Sequence, residues 1–332
     1  MKKYMEIPRI GHSSTLNYLA QVAAKKQNIR IVIKLDGANG QFEVGDNDEL
    51  LIYSRKNLLN EEMNLKGFYQ YVKSKVDPKR IPKGYKIFGE WLISHTVTYP
   101  SDAYAQFYLF NIYDENKKEY IKPETEVYQQ ISKYLVDELG MKEEIVLYDG
   151  PYISMDEINK MLLKITRDND EYDVKIPKSM NEVFHEGLIL KAYDYRDEYG
   201  SQLFVKYVGE RFKEVKKIKS RLKNKNQEDN SVEREIAEFA ATKARVEKTI
   251  HKLIDENVLP DFIELEQMNL VAKNLPKRVY EDIMKEELDT IRSEFGEFDE
   301  KMIGKKINSN VMRYAREIIL ERIEERFNRI VD

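Results

Sequence analysis

The chain alternates first and then turns helical. Ile31, Val32 and Ile33 make a β-branched run that leads into a glycine-containing turn from Gly37 to Gly40. Leu50 to Tyr53 form a second short strand, and Asp46-Asn47-Asp48 marks a turn before it. A helix is expected from about Glu61 to Lys75, and aromatic-rich strands over Tyr85 to Leu92 and Ala105 to Tyr113. Pro123 then opens a helical pattern, with Val127, Ile131, Tyr134, Leu135 and Leu139 on one face, closed by Gly140. Ile145 to Tyr148 reads as a strand, and Ser154-Met155-Asp156-Glu157 caps a helix carrying Ile158, Met161, Leu162 and Ile165. Two further strands, Glu186 to Ala192 and Gln202 to Val208, flank a polar turn.

Strand signals stop near residue 225. Asn224 to Ser231 is polar and linker-like, and three amphipathic helices follow. Ile236, Phe239, Val246, Ile250 and Leu253 mark the first, and Val279 to Phe295 and Val311 to Phe327 the others. The expected class is α+β for residues 1–225, followed by a small all-α domain over 232–332.

Composition narrows the function classes. The 332 residues include no cysteine, which excludes disulfides, a thiol nucleophile and Cys-ligated metals and fits a cytoplasmic protein. No apolar run approaches the ~18 residues of a membrane span, and no apolar segment follows the first residues as in a secretory leader. The four histidines show no metal-ligand spacing. The net charge of −4 is unlike that of a nucleic-acid coating protein, but eight basic residues and one acid, Glu214, lie between Arg211 and Lys225.

The chemistry sits in ordered short segments. Lys34-Leu35-Asp36-Gly37 places a lysine at a strand end beside a glycine that lets a phosphate approach the backbone. A desolvated lysine near other cations sheds its proton and becomes a nucleophile. Taken alone, the segment also suits a surface hairpin with a solvated lysine. Ser54-Arg55-Lys56, Phe88-Gly89-Glu90-Trp91, Phe107-Tyr108-Leu109-Phe110-Asn111, Glu186-Gly187-Leu188-Ile189-Leu190-Lys191 and Leu203-Phe204-Val205-Lys206-Tyr207 follow in order. On periodicity alone Phe107 is a core aromatic, and His185 is structural.

This series resembles the covalent nucleotidyltransferases: ATP-dependent DNA ligases, RNA ligases and capping enzymes. Asn39, the segment Asn274 to Tyr280 and the helical C-terminal region are similar to the RNA ligase 2 family. Two departures are Asp36, where that family usually has histidine, and Val208, where a second lysine usually stands. The resemblance implies an ATP-grasp-like adenylyltransferase domain of two antiparallel sheets with flanking helices holding ATP between them. It implies an ATP-dependent RNA ligase that seals 5′-phosphate and 3′-hydroxyl ends through a lysyl-AMP intermediate, in a phage-like repair role. A DNA ligase and a non-catalytic nucleic-acid end-binding protein are the alternatives.

Carried over by position, Lys34 would be the nucleophile, and Arg55 would meet the phosphates or the incoming 5′ end. Glu90 would hold the ribose, Phe107 would stack on adenine with Tyr108 as its substitute, and Glu186 would bind Mg²⁺ or Mn²⁺. Lys206 would neutralise the α-phosphate, and Asn39 would place the 3′-OH strand. Lys216, Lys217 and Lys219 in the basic run are expected to contact RNA, as a nicked duplex or as ends. A monomer with no membrane attachment is expected.

Overall fold

The computed structural model describes residues 3–11, 13–166, 180–216 and 232–331, and Lys217, Lys219 and the 224–231 segment lie outside them. The chain divides into two compact units, Met1–Gly209 and Glu210–Asp332.

The first unit contains two antiparallel sheets. One has the order β10-β9-β1-β8, from β1 (Asn28–Lys34), β8 (Val146–Pro151), β9 (Gly187–Ala192) and β10 (Leu203–Val208). The other runs β3-β2-β4-β5-β6, from β2 (Ala38–Val44), β3 (Leu50–Ser54), β4 (Tyr85–Trp91), β5 (Phe107–Asp114) and β6 (Glu119–Tyr120). The short β7 (Lys142–Glu143) pairs in parallel with β5.

Strand alternation assigns each side chain its layer. On β4, Ile87 and Trp91 join Phe42, Phe107, Leu109 and Ile112 in a core. Phe68 and Val72 of α2 (Phe68–Lys75) and Tyr128 and Ile131 of α3 (Glu126–Ser132) cover it. The intervening Phe88 points the other way, into an aromatic layer with Tyr4, Tyr113, Tyr120, Tyr193 and Phe204. Tyr193 and Phe204 come from the β9/β10 side, so this layer lies between the sheets and makes their facing surfaces the walls of one cleft. The outer side of the β1/β9 sheet is covered by α4 (Met155–Thr166), with Ile158, Leu162 and Ile165 buried.

Two expectations are corrected here: the helix expected from about Glu61 begins only at Phe68, and the expected glycine turn is strand. The segment from Gly37 to Gly40 is not a simple turn, because β2 begins at Ala38. Asn39, Gln41 and Glu43 look loop-like, yet they are the cleft-facing positions of a strand paired on both sides. Gly40 serves packing: a Cβ there would stand 2.6 Å from the Phe68 ring. Helix α1 (Ser13–Ala24) has no counterpart among the expected elements. The described helix after Pro123 is α3, which runs on as a π-helical stretch, Lys133–Glu138, closed by Gly140 at φ 71°.

The second unit is helical: α5 (Val232–Ala240), α6 (Lys243–Asp255), α7 (Met268–Phe295) and α8 (Glu300–Val331). Its core draws on all four, including Ile236, Ile250, Val279, Ile283, Ile307 and Val311. The segment Asn274 to Tyr280 lies inside α7, which carries Pro276 internally.

Candidate active site

The site is built at one end of the cleft, where β1 stops. Lys34 is the last residue of β1 and pairs in register with Gly187. That register sets the Lys34 amine on the carboxylate of Glu186, one residue before β9, in an ion pair that is 22% exposed at the lysine and 7% at the glutamate. Lys34 is thus fixed in place by a buried carboxylate, which argues against a solvated hairpin lysine.

The opposite wall supplies a row of cross-strand neighbours. Asn39 of β2 pairs with Glu90 of β4, and Glu90 with Tyr108 of β5. Directly paired residues share a face, so all three look into the cleft. The turn after Lys34 is tied to this row, because the Gly37 N–H donates to Glu90 Oε1 at 3.0 Å. Glycine is required at position 37: a Cβ would lie 2.7 Å from the Trp91 carbonyl oxygen.

Burial raises the Glu90 carboxyl to about 7, against the pull of Lys34, the Gly37 N–H and His95, and Glu186 adds to the rise. The folded unit therefore keeps a proton on Glu90 that the unfolded chain releases above about 4.5. The stability this group contributes is complete at low pH and is lost as pH rises through about 7. Glu90→Gln is expected to remove that slope. Melting temperatures of the variant and the parent should diverge, in favour of the variant, between pH 5 and pH 8; a constant offset would contradict the assignment.

Asp36 has a local task. Its carboxylate accepts from the Val97 N–H at 2.8 Å and faces His95 Nδ1 at 3.6 Å, and its own N–H donates to the Tyr99 hydroxyl at 2.9 Å. Burial opposes ionisation, but the His95, Lys34 and Val97 partners together bring the carboxyl down to about 2. Asp36 thus fastens the segment 95–99 beside the nucleophile's turn. His185 is buried with its ring 6.0 Å from that of Tyr99. Burial lowers it to about 4, so it is neutral at pH 7, in keeping with a structural role.

Lys206 lies on β10 two residues after Phe204, which faces the cleft, and therefore shares its face. Its backbone is braced by the N-terminal segment: Lys206 N–H donates to the Pro8 carbonyl at 2.9 Å and Ile10 N–H to the Lys206 carbonyl at 3.1 Å. Val208, one of the two departures from the RNA ligase 2 pattern, is buried. Arg55 is exposed just beyond β3, and its charge bears on the Tyr4 and Tyr120 hydroxyls of the aromatic layer. Lys216 belongs to the second unit.

Phe107 is not brought to this face. It pairs with Trp91, is fully buried, and stacks on Phe68 with centroids 5.4 Å apart. The alternation that turns Tyr108 toward Glu90 turns Phe107 into the helix-covered core, a physical correction to its expected place beside adenine. Sequence reasoning did not single out Phe110. A register shift after Phe88 puts Phe110 opposite no residue of β4, and its ring reaches the inter-sheet layer, 4.9 Å from Tyr4. Phe107→Ala should destabilise the unit by roughly 3–5 kcal/mol, as large-to-small core changes do. Phe110→Ala, at a partly open ring, should cost less. Equal losses of melting temperature in calorimetry would contradict this division.

The deep end of the cleft is closed by charge. Lys191, 2% exposed, donates to the Phe110 carbonyl at 2.7 Å and pairs with Glu144, which also takes Arg30 Nε at 3.2 Å. Burial holds the Lys191 amine below the usual lysine range even with Glu144 against it. Asn111 links the sheets: it accepts from the Tyr4 hydroxyl and donates to that of Tyr193, both at 2.7 Å. In the second unit, Glu214, Asp282 and Glu286 converge closely enough to hold a metal. The Arg245 guanidinium already fills that centre, pairing with Asp282, with Glu214 at 3.6 Å and with Glu286 at 3.7 Å. No helix among the described residues is long and apolar enough to cross a membrane.

A family model described as RNA ligase matches residues 28–208, the stretch from the first residue of β1 to the last of β10. No curated protein sequence matches the chain. Among solved structures, a mutant of the Naegleria gruberi RNA ligase with ATP and Mn aligns at 18% identity with a TM-score of 0.44, covering 63% of this chain and 56% of that one. The same ligase with PPi aligns at 20% identity, TM-score 0.44, over the same shares. A mutant with AMP and Mn aligns at 20% identity and TM-score 0.41, also over 63% and 56%. The chain thus spans little more than half the length of these structures. The family match takes in Lys34, Glu90, Glu186 and Lys206 together with every strand that positions them, and the chain belongs to the RNA ligase family.

Proposed function

We propose that this protein is an ATP-dependent RNA ligase that joins 5′-phosphate and 3′-hydroxyl ends through AMP carried on Lys34. The observation that carries the reading is the Lys34–Glu186 pair at the mouth of a cleft whose walls present Asn39, Glu90 and Lys206.

In the first step the Lys34 amine, having given up a proton, attacks the α-phosphorus of ATP. An N–P bond forms, the P–O bond to the β-phosphate breaks, and pyrophosphate leaves. The proton passes to solvent at the partly exposed lysine, while Glu186 holds the amine in place for the attack. Lys206 offsets charge that builds on the α-phosphate, which is where preorganised cations act most strongly. Glu90 is placed to accept from the ribose hydroxyls, and Phe110, with Tyr108 beside it, offers a ring for adenine. AMP then passes to a 5′-phosphate, with Arg55 at the incoming end. The 3′-hydroxyl, placed with help from Asn39, attacks that phosphate and releases AMP. Lys216, Lys217 and Lys219 are proposed to hold the RNA.

A divalent cation suits this donor set. Mg²⁺ binds through one or two carboxylates with phosphate oxygens and water making up its shell, and Glu186 is such a carboxylate, already partnered by a cation in the Lys34 amine. Bound there, Mg²⁺ or Mn²⁺ would supply further neutralisation of phosphate charge. We propose action as a monomer in the cytoplasm, on an adenylyltransferase domain of residues 1–225 followed by a helical domain.

Asp36, where the RNA ligase 2 family usually has histidine, is occupied with the 95–99 segment. Sealing assays on nicked duplexes with RNA or DNA on each side of the nick test the substrate. Joining is expected where the 3′-hydroxyl strand is RNA; joining of all-DNA nicks alone would make the enzyme a DNA ligase.

A further inference from the structure

The exposed face of the first half of α8 carries an unusual charge distribution. From Lys301 to Arg316 the helix holds Lys301, Lys305, Lys306, Arg313 and Arg316 and no acidic residue. Positions 301, 305, 309, 313 and 316 follow one another at spacings of three and four and share a face. Lys301, Lys305, Arg313 and Arg316 are exposed there, while Ile303, Ile307, Val311 and Ala315 turn into the core.

Several other basic groups of this unit are satisfied locally. Arg234 pairs with Glu238, Lys243 with Glu317 and Glu321, Lys248 with Glu214, and Arg278 with Glu256. The first acid along α8 after Glu300 is Glu317, and Lys243 takes it at 2.8 Å. No carboxylate among the described residues pairs with any of the four cations of the α8 face, nor with Lys306 beside it. Arg313 instead lies over the Tyr314 ring at 4.4 Å, and the Tyr314 hydroxyl meets Lys216 Nζ at 3.4 Å. The start of the 211–225 basic run is thereby joined to the same face. Like charges at neighbouring helical positions oppose folding, so an array of them without counter-charges fits a polyanion supplied from outside.

We propose that this face of α8, with Lys216 at its side, is a docking surface for the phosphate backbone of the nucleic acid being joined. It runs about 23 Å, at ~1.5 Å of rise per residue, a length that follows several phosphates of a duplex. Its contacts are to phosphate and carry no sequence preference. The proposal rests on the nucleic-acid-joining reading and adds to it a binding surface on the helical unit.

The test uses the full-length chain and a nicked RNA duplex, without ATP or metal so that nothing is sealed. The triple variant Lys305→Gln, Arg313→Gln, Arg316→Gln is compared with a control that removes three exposed charges from the first unit, Lys117→Gln, Lys133→Gln, Lys142→Gln. The α8 variant should bind about 10-fold or more weakly near 0.1 M salt. Its slope of log affinity against log salt should be shallower by about 2 to 3, and the control's slope unchanged. Equal slopes in the two variants overturn the proposal. So does a loss of binding to anionic phospholipid vesicles with RNA binding intact, which would assign the face to a membrane surface. In a separate assay without RNA, labelling of Lys34 by ATP with Mg²⁺ should be the same in all three proteins. If the parent is not labelled, the ligase reading fails, and the salt slopes still decide the α8 face.

Discussion

Lys34→Ala is expected to abolish covalent capture of AMP while leaving the protein folded. No other lysine among the described residues stands at a strand end on a buried carboxylate while facing Glu90 across the cleft. Removing the amine also strips Glu186 of its partner, and a buried group left without one costs about 1–3 kcal/mol, so some loss of melting temperature should accompany the alanine variant. Lys34→Arg separates the two effects. A guanidinium can keep the charge pair with Glu186 but stays protonated and cannot attack phosphorus. The arginine variant should melt near the parent and acquire no label from ATP. Labelling of Lys34→Ala at more than a trace level would mean that another residue carries the nucleotide.

The second large effect is at Glu186. Glu186→Gln preserves shape and removes the charge that holds the Lys34 amine and suits a divalent cation. The rate of adenylylation, measured at saturating ATP with Mg²⁺, should fall about 100-fold or more, equivalent to about 3 kcal/mol of lost transition-state stabilisation. The Lys34 amine would then be freer to move, so part of the loss should appear as poor positioning. A rate within a few-fold of the parent would remove Glu186 from the mechanism.

How legible this was in the sequence depended on where each residue's partners lie. A strand buried on both faces, such as β1 with Ile31, Val32 and Ile33, announces itself by its β-branched run. β2 does not, because its Asn39, Gln41 and Glu43 point into a cleft between sheets, and polar residues aimed at a cleft look like those of a loop. Lys34 and Glu186 stood out as members of an ordered series of segments, but their contact comes from the β1–β9 register, which links residues 152 positions apart. The Phe107 expectation failed on a single step of strand phase. The sequence shows three aromatic candidates between Phe107 and Asn111, and only the pairing with β4, including its shift after Phe88, tells which rings face the cleft. The Asp36 fastening to Val97 and His95 and the Lys191–Glu144 pair were invisible for the same reason: they join distant segments through one or two polar atoms and leave no periodic trace.

The most direct measurement is the mass of the intact protein before and after incubation with ATP and a divalent cation, followed by mapping of the modified peptide. The account predicts a gain of one AMP, placed on Lys34 and discharged by excess pyrophosphate. A protein whose mass stays unchanged, or one that carries AMP on a lysine outside the cleft, would contradict it.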